Sequence, residues 1–392
     1  MGVLNQLLKS DKKCLYKFAY NFGIKGAIGF AKYSKRKKNG KAFPAFQFIS
    51  ITDDCNLKCQ GCWVTKNGKA TRLEPEQIDH IIKEGKKQGS YFYGILGGEP
   101  LMYKGLLDIF RKHKDCYFQL FTNGTLLNDA IAKELRKCAN VTPLISFEGD
   151  ENVADIRRGG DSVYNRTVSA IETSVQNKLI TGVAISVCKS NIDMALSDDF
   201  VNLVTNKGAI YLWYYIYRPS GENPQYELAL SSEEIQRLRQ FMVDGRKKYN
   251  IVIVDSYWNG DGEPFCPAAE GLSHHINPAG YIEPCPVLQI ACENVKDGNI
   301  SELYEKSEFL RDFRHQIQAK TKGCVLMEDP EWIKLFAEKH HALNTSNRQD
   351  LLEKLAASPT VCSHGSCKII PEKSRMYRFA KNRAFFGLGA YG

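Results

Sequence analysis

The spacing of apolar residues changes along this chain. Leu4, Leu7, Leu8, Leu15, Phe18, Ala19 and Phe22 recur at helical spacing, with Lys9, Lys12, Lys13 and Lys17 between them. Gly23, Gly26 and Gly29 follow, then the basic run 35–38. From 46 to about 256, short apolar runs alternate with amphipathic stretches. The runs predict strands at 46–52, 91–96, 117–122, 143–147, 182–188 and 210–216. The amphipathic stretches predict helices, among them 75–88, 127–138 and 231–249. Strands alternating with helices read as βα units around a parallel sheet. The expected fold class is α/β, a partial (β/α)6 TIM-like barrel whose working loops follow the C-terminal ends of its strands. From Cys266 to Cys324, Pro, Gly and Cys become frequent; 277–280 (Asn-Pro-Ala-Gly) predicts a hairpin turn, and 301–320 predicts one helix. The expected organisation is a basic amphipathic leader at 1–45, the barrel at 46–256, a cysteine-rich region at 257–330 and a helical C-terminal region at 331–392.

Composition excludes several classes. With 43% hydrophobic and 25% charged residues the chain is globular, not disordered or collagenous. The longest apolar stretch, 209–217, is far short of the roughly 18 residues of a membrane span. No secretory signal is recognisable at the start. Net charge is +9 and unevenly spread. Residues 1–45 carry eleven Lys/Arg against one acid, and 368–392 carry six against one, which leaves the body at −6. Basic ends on an acidic body point to an anionic surface or partner rather than to DNA. Met1-Gly2 lacks the Ser or Thr at position 6 that myristoylation favours. Thirteen cysteines without a signal peptide suit a reducing cytoplasm, where clustered thiols mean metal or catalysis.

Cys55, Cys59 and Cys62 form C-x3-C-x2-C directly after the first predicted strand. Three thiolates on one loop can ligate three irons of a [4Fe–4S] cluster and leave the fourth open. A zinc site would want a fourth ligand nearby, and none is evident. After the second predicted strand comes Gly97-Gly98-Glu99-Pro100. Its glycines allow a ligand to approach the backbone, and its acid could pair with an ammonium group.

With these two motifs on consecutive loops, the chain resembles the radical S-adenosylmethionine (SAM) superfamily over roughly 46–325. That resemblance implies that Cys55, Cys59 and Cys62 hold a [4Fe–4S] cluster and that Gly97, Gly98, Glu99 and Pro100 line SAM. It also implies reductive cleavage of SAM to a 5′-deoxyadenosyl radical that abstracts hydrogen from a substrate, with flavodoxin or ferredoxin as electron donor. Asn123, Ser146 and Arg158 match the places where the family contacts ribose, methionine and the cofactor carboxylate. Many members carry an aromatic residue just before the third cysteine, where this chain has Gly61; Trp63 follows instead and is expected on the adenine side.

Cys266 and Cys285 fit C-x13-G-x4-C, which looks like the opening of the auxiliary-cluster region called SPASM or, in shorter form, twitch. The dense run of four cysteines that completes SPASM is missing. One auxiliary [4Fe–4S] cluster is therefore expected, on Cys266, Cys285 and Cys324, with Cys292 as a candidate fourth ligand. Cys362 and Cys367 read as bystanders, and Cys14, Cys116, Cys138 and Cys188 as packing residues. The basic ends, which interleave Phe18, Phe22, Phe379, Phe385 and Phe386, predict peripheral attachment to an anionic membrane and a lipid or membrane-associated substrate. The alternatives are a maturase of ribosomally made peptides and, in another class, a non-catalytic iron–sulfur or zinc scaffold.

Overall fold

A computed structural model describes residues 2–65, 68–321, 323–346, 348–364 and 369–383. All six predicted strands are present: β1 (Phe46–Thr52), β2 (Phe92–Gly97), β3 (Tyr117–Thr122), β4 (Val141–Ser146), β5 (Gly182–Val187) and β6 (Tyr211–Ile216). They pair in parallel, neighbour to neighbour. Two more strands extend the parallel set: β7 (Val252–Val254) beside β6, and β8 (Ser273–Ile276) beside β1. The hairpin at 277–280 forms as expected and returns as β9 (Ile282–Glu283), antiparallel to β8. The sheet order is β7-β6-β5-β4-β3-β2-β1-β8-β9. β1 therefore sits inside the sheet, between strands some 45 and 225 residues downstream of it.

Alternation along each strand separates two cores. Ile49 and Ile51 of β1, Ile95 of β2 and Leu120 of β3 face the helix layer, where Ile78, Ile81 and Ile82 meet them. Phe46 and Phe48 of β1, Phe92 of β2 and Tyr117 of β3 form an aromatic interior. The helices start where their sequences cap them. Glu74 and Gln77 make a reciprocal cap with Pro75 in the first turn, and Ser231 and Glu234 do the same for Ser232–Lys248. The single helix expected over 301–320 is two, Ile300–Lys306 and Glu308–Lys320. Ser307 breaks it by turning out of helical geometry and accepting the Leu310 N–H on its hydroxyl.

The leader is helical over Val3–Leu8 and again from Lys12 through Lys38, with a π-helical stretch at Phe18–Ile24. It closes the end of the barrel where the strands begin. Phe18 lies 5.6 Å from Tyr117 and Phe22 5.1 Å from Phe92, ring centre to ring centre. Asn21 donates to the carbonyls of Lys114 and Cys116, and Tyr33 to that of Glu270. Phe18 and Phe22, expected to insert into a membrane, are instead packing residues of the barrel floor. The outward face is also apolar: Tyr16, Tyr20, Ile24 and Ile28 are 42–62% exposed. The tail helix Arg375–Arg383 docks as well. Lys381 donates to Asp255 and to the Trp258 carbonyl, and Tyr377 is buried, while Phe379 stays exposed. Phe385 and Phe386 lie outside the described residues. No helix among those described is long and apolar enough to cross a membrane.

Candidate active site

The C-terminal ends of β1 to β6 open onto one cavity of about 1060 Å³. The loop after β1 brings Cys55, Cys59, Cys62 and Trp63 to its wall. β2 supplies Gly97 and Gly98, β3 leads to Asn123, β4 ends at Ser146, and β6 leads to Tyr217 and Arg218. The three thiols are half-buried and share one electrostatic environment. Burial pushes the Cys62 thiol up to about 12, and its neighbours Cys59 and Cys55 add to the rise. Two N–H groups face the sulfurs: Asn123 Nδ2 at 4.0 Å from Cys55 Sγ, and Arg158 Nη1 at 3.9 Å from Cys59 Sγ. Among the described residues, no three His, Cys, Asp or Glu side chains converge tightly enough for a single metal ion. Thiols spread along a cavity wall, with N–H donors on their sulfurs, suit a cluster several ångströms across.

Several expected residues sit differently from their first reading. Glu99 is fully buried and does not line the cavity. Its carboxylate accepts from the N–H groups of Leu101 and Asn123 and from the Thr122 hydroxyl, so it braces the loops of β2 and β3 rather than offering itself to an ammonium group. Burial pushes it up to about 7 against those donors. Pro100 is buried and starts a single 3₁₀ turn. The backbone of Gly97 and Gly98 is what faces the cavity. Arg158 is ion-paired with Glu148, which also lies 3.7 Å from Arg157. Gly61 has φ +65°, and a Cβ there would collide with the Tyr217 hydroxyl. The room for an aromatic before the third cysteine is thus filled by Tyr217, just beyond β6. Trp63 lines the cavity, perpendicular to the His275 ring with the ring centres 5.7 Å apart.

Cys266, Cys285 and Cys324 share one electrostatic environment beside this site. Burial pushes the Cys266 thiol up to about 11 and Cys285 well above its ordinary value, and each of these two thiols also feels Cys324. Pro286 and Val287, next to Cys285, border the main cavity. Cys292 is not part of the group. Its thiol donates to the His340 carbonyl, and it borders a different cavity with Glu293 and His341. Cys362 neighbours the Cys324 segment, where Val361 N–H donates to Met327 O and Cys324 N–H to the Ser363 hydroxyl. Cys367 lies outside the described residues.

A network that the sequence did not single out joins the two thiol groups. His275 shares hydrogen bonds with Ser50 Oγ (2.7 Å) and Glu283 Oε2 (2.6 Å). It ties β1, which carries the first cysteine loop, to the hairpin that leads into Cys285. Tyr217 and Arg218 were missed too. Their only sequence signal was position, at or just beyond strand ends.

Residues 49–194 match the sequence profile of the Radical SAM superfamily. That segment is a Radical SAM domain. A radical SAM enzyme works with a [4Fe–4S] cluster and SAM, and needs a reductant and a substrate. The chain is 23% identical over 302 residues to the "AdoMet-dependent heme synthase" of Oleidesulfovibrio alaskensis, covering 69% of this chain and 77% of that one. It is 22% identical over 289 residues to "Sporulation killing factor maturation protein SkfB" of Bacillus subtilis, covering 70% and 67%. Its fold is similar to that of Streptococcus suis SuiB bound to precursor peptide SuiA, with a TM-score of 0.61 and 17% identity over 73% of this chain and 70% of that one. The matched segment runs from β1 past β5 and so takes in the first cysteine loop, Gly97–Pro100 and Arg158.

Proposed function

We propose that this enzyme carries its SAM-binding [4Fe–4S] cluster on Cys55, Cys59 and Cys62, with SAM against Gly97, Gly98, Asn123, Ser146 and Arg158. With that cluster and SAM bound there, the site would supply reductive SAM cleavage and hydrogen abstraction from a substrate. The chain's own part is to hold and orient. The Gly97–Gly98 backbone permits close approach, Glu99 locks the loops of β2 and β3, and Arg158, steadied by Glu148, points N–H groups at the first cysteine loop. We assign a second cluster to Cys266, Cys285 and Cys324. The same reading keeps 46–256 as the SAM-cleaving barrel, 257–330 as the auxiliary region and 331–392 as a helical closure.

The observation that carries this reading is the set of three thiols on one loop, lining a strand-end cavity with N–H donors on their sulfurs. A zinc scaffold would gather its ligands on one point and would have no use for the Gly97–Gly98 approach. Cavity size bears on the substrate. Ligand pockets run to roughly 300–1,000 Å³, so this cavity has room for a second molecule beside SAM. The likeness to SkfB and to the SuiB–peptide complex favours a peptide there. A membrane-associated substrate is the second reading, favoured by the apolar outer face of the leader.

The test is anaerobic reconstitution. The native chain should hold about eight irons from two four-iron clusters. Replacing Cys55, Cys59 and Cys62 together by Ala should leave about four and abolish 5′-deoxyadenosine formation. Cleavage of SAM at the native rate by this triple variant would reject the assignment.

A further inference from the structure

Arg218 stands two residues beyond β6, is 5% exposed and lines the main cavity. The two other buried arginines among the described residues each face a carboxylate: Arg157 lies 3.7 Å from Glu148, and Arg239 3.3 Å from Asp255. Arg218 makes no such pair among the described residues. Its guanidinium donates to Met327 Sδ at 2.7 Å and lies 5.0 Å from the centre of the Tyr257 ring, and its Nε–H is buried without a partner. A thioether and a ring face are weak compensation. Burying a charge costs several kcal/mol unless an anion answers it, so this position needs a negative charge that the protein's carboxylates do not supply.

The surroundings say where that charge lies. Met327 is three residues after Cys324, and Pro286 and Val287, which share the cavity wall with Arg218, directly follow Cys285. Arg218 thus touches the segment that carries Cys324 and borders the one that carries Cys285. Three thiolates around an iron–sulfur core form a lasting negative charge, and each electron the core accepts adds to it.

We propose that Arg218 is the counter-charge of the auxiliary cluster and raises its reduction potential, a positioning role that rests on the cluster assignment to Cys266, Cys285 and Cys324. The guanidinium stabilises the more negative, reduced core over the oxidised one, and it stands on the side that faces the substrate cavity. An electron leaving a substrate there would meet a core already biased to accept it.

The test is an EPR-monitored redox titration of the full chain carrying Cys55→Ala, Cys59→Ala and Cys62→Ala, so that only the auxiliary cluster reports. Arg218→Gln should shift its potential to more negative values, by about tenfold in the reduction equilibrium, which is 59 mV for one electron. Arg218→Lys, which keeps the charge, should restore most of the shift. An unchanged potential in Arg218→Gln with iron retained would overturn the proposal and leave a substrate carboxylate as the missing anion. An equal shift in both variants would also overturn it, since packing and not charge would then be the cause. Were Arg218→Gln to lose its iron, retention by Arg218→Lys would support the proposal, and loss from both would overturn it. No iron in the parent triple variant would instead remove the auxiliary cluster itself, a different failure, of the assignment to Cys266, Cys285 and Cys324.

Discussion

Gly61 shows how one missing side chain shapes the site. Its left-handed backbone costs an alanine about 1–2 kcal/mol, and the Tyr217 hydroxyl occupies the place of any Cβ. Gly61→Ala should therefore displace the Cys59–Cys62 turn and lower 5′-deoxyadenosine formation by about 100-fold, the cost of an ångström of misplacement. Removing the obstructing hydroxyl with Tyr217→Phe in the same chain should recover part of the loss. Native rates in Gly61→Ala would mean that the turn tolerates the shift. The sequence shows Gly61 only as a departure from a pattern, because the reason for it lies 156 residues downstream. Glu99 teaches the same lesson. A carboxylate in a glycine-rich loop reads as a ligand until β3 is seen to bring Thr122 and Asn123 against it. The cysteine spacings were legible because three ligands on one short loop need no knowledge of tertiary structure.

At the scale of elements, the leader has two faces of opposite use. Phe18 and Phe22 are spent on the barrel floor, and Lys17, Lys25 and Arg36 donate to backbone carbonyls of the body. Tyr16, Tyr20, Ile24 and Ile28 recur every fourth residue on the outside, with exposed Lys12, Lys13, Lys32 and Lys35 at the ends of the stripe. Sedimentation with anionic liposomes should depend on this stripe. Changing Tyr16, Tyr20, Ile24 and Ile28 together to Ser should abolish the binding that remains at high salt, where the Debye length falls to about 3 Å. SAM cleavage should continue, since the leader lies at the opposite end of the barrel from the cavity. Equal pelleting of the variant and the native chain would discard the stripe as a membrane contact. Strand positions were readable within one or two residues, because buried parallel strands are short, dense apolar runs. The break at Ser307 was not, because the residues around it keep helical periodicity on both sides.

At the scale of the whole molecule, Asp255 holds the C-terminal region to the barrel. It is fully buried among Arg239, Arg246 and Lys381. Burial alone would raise its carboxyl, but Lys381, Arg246 and Arg239 outweigh burial and hold it well below the usual carboxylate range. Asp255→Asn leaves three cations facing one another and should cost about 3–5 kcal/mol in urea unfolding. The folded carboxyl lies below the roughly 3.9 of an unfolded Asp, so its contribution is complete above that value and is lost as pH falls through the folded one. The deficit of the variant should therefore stay level from about pH 5 to 8 and shrink under acid. Independence from pH down to full acid unfolding would contradict the ion network.

The place of β1 has a consequence for synthesis. Its second neighbour, β8, emerges some 225 residues later, so a ribosome releases β1 with one edge bare and the cysteine loop already attached. A bare parallel edge is a template for another chain, and so long a wait is slow on the folding scale. Chains halted before residue 273 should aggregate through β1, and chains released after the β8–β9 hairpin should not. Iron loading of the first loop in the cell would then compete with self-association until the strand beside it arrives.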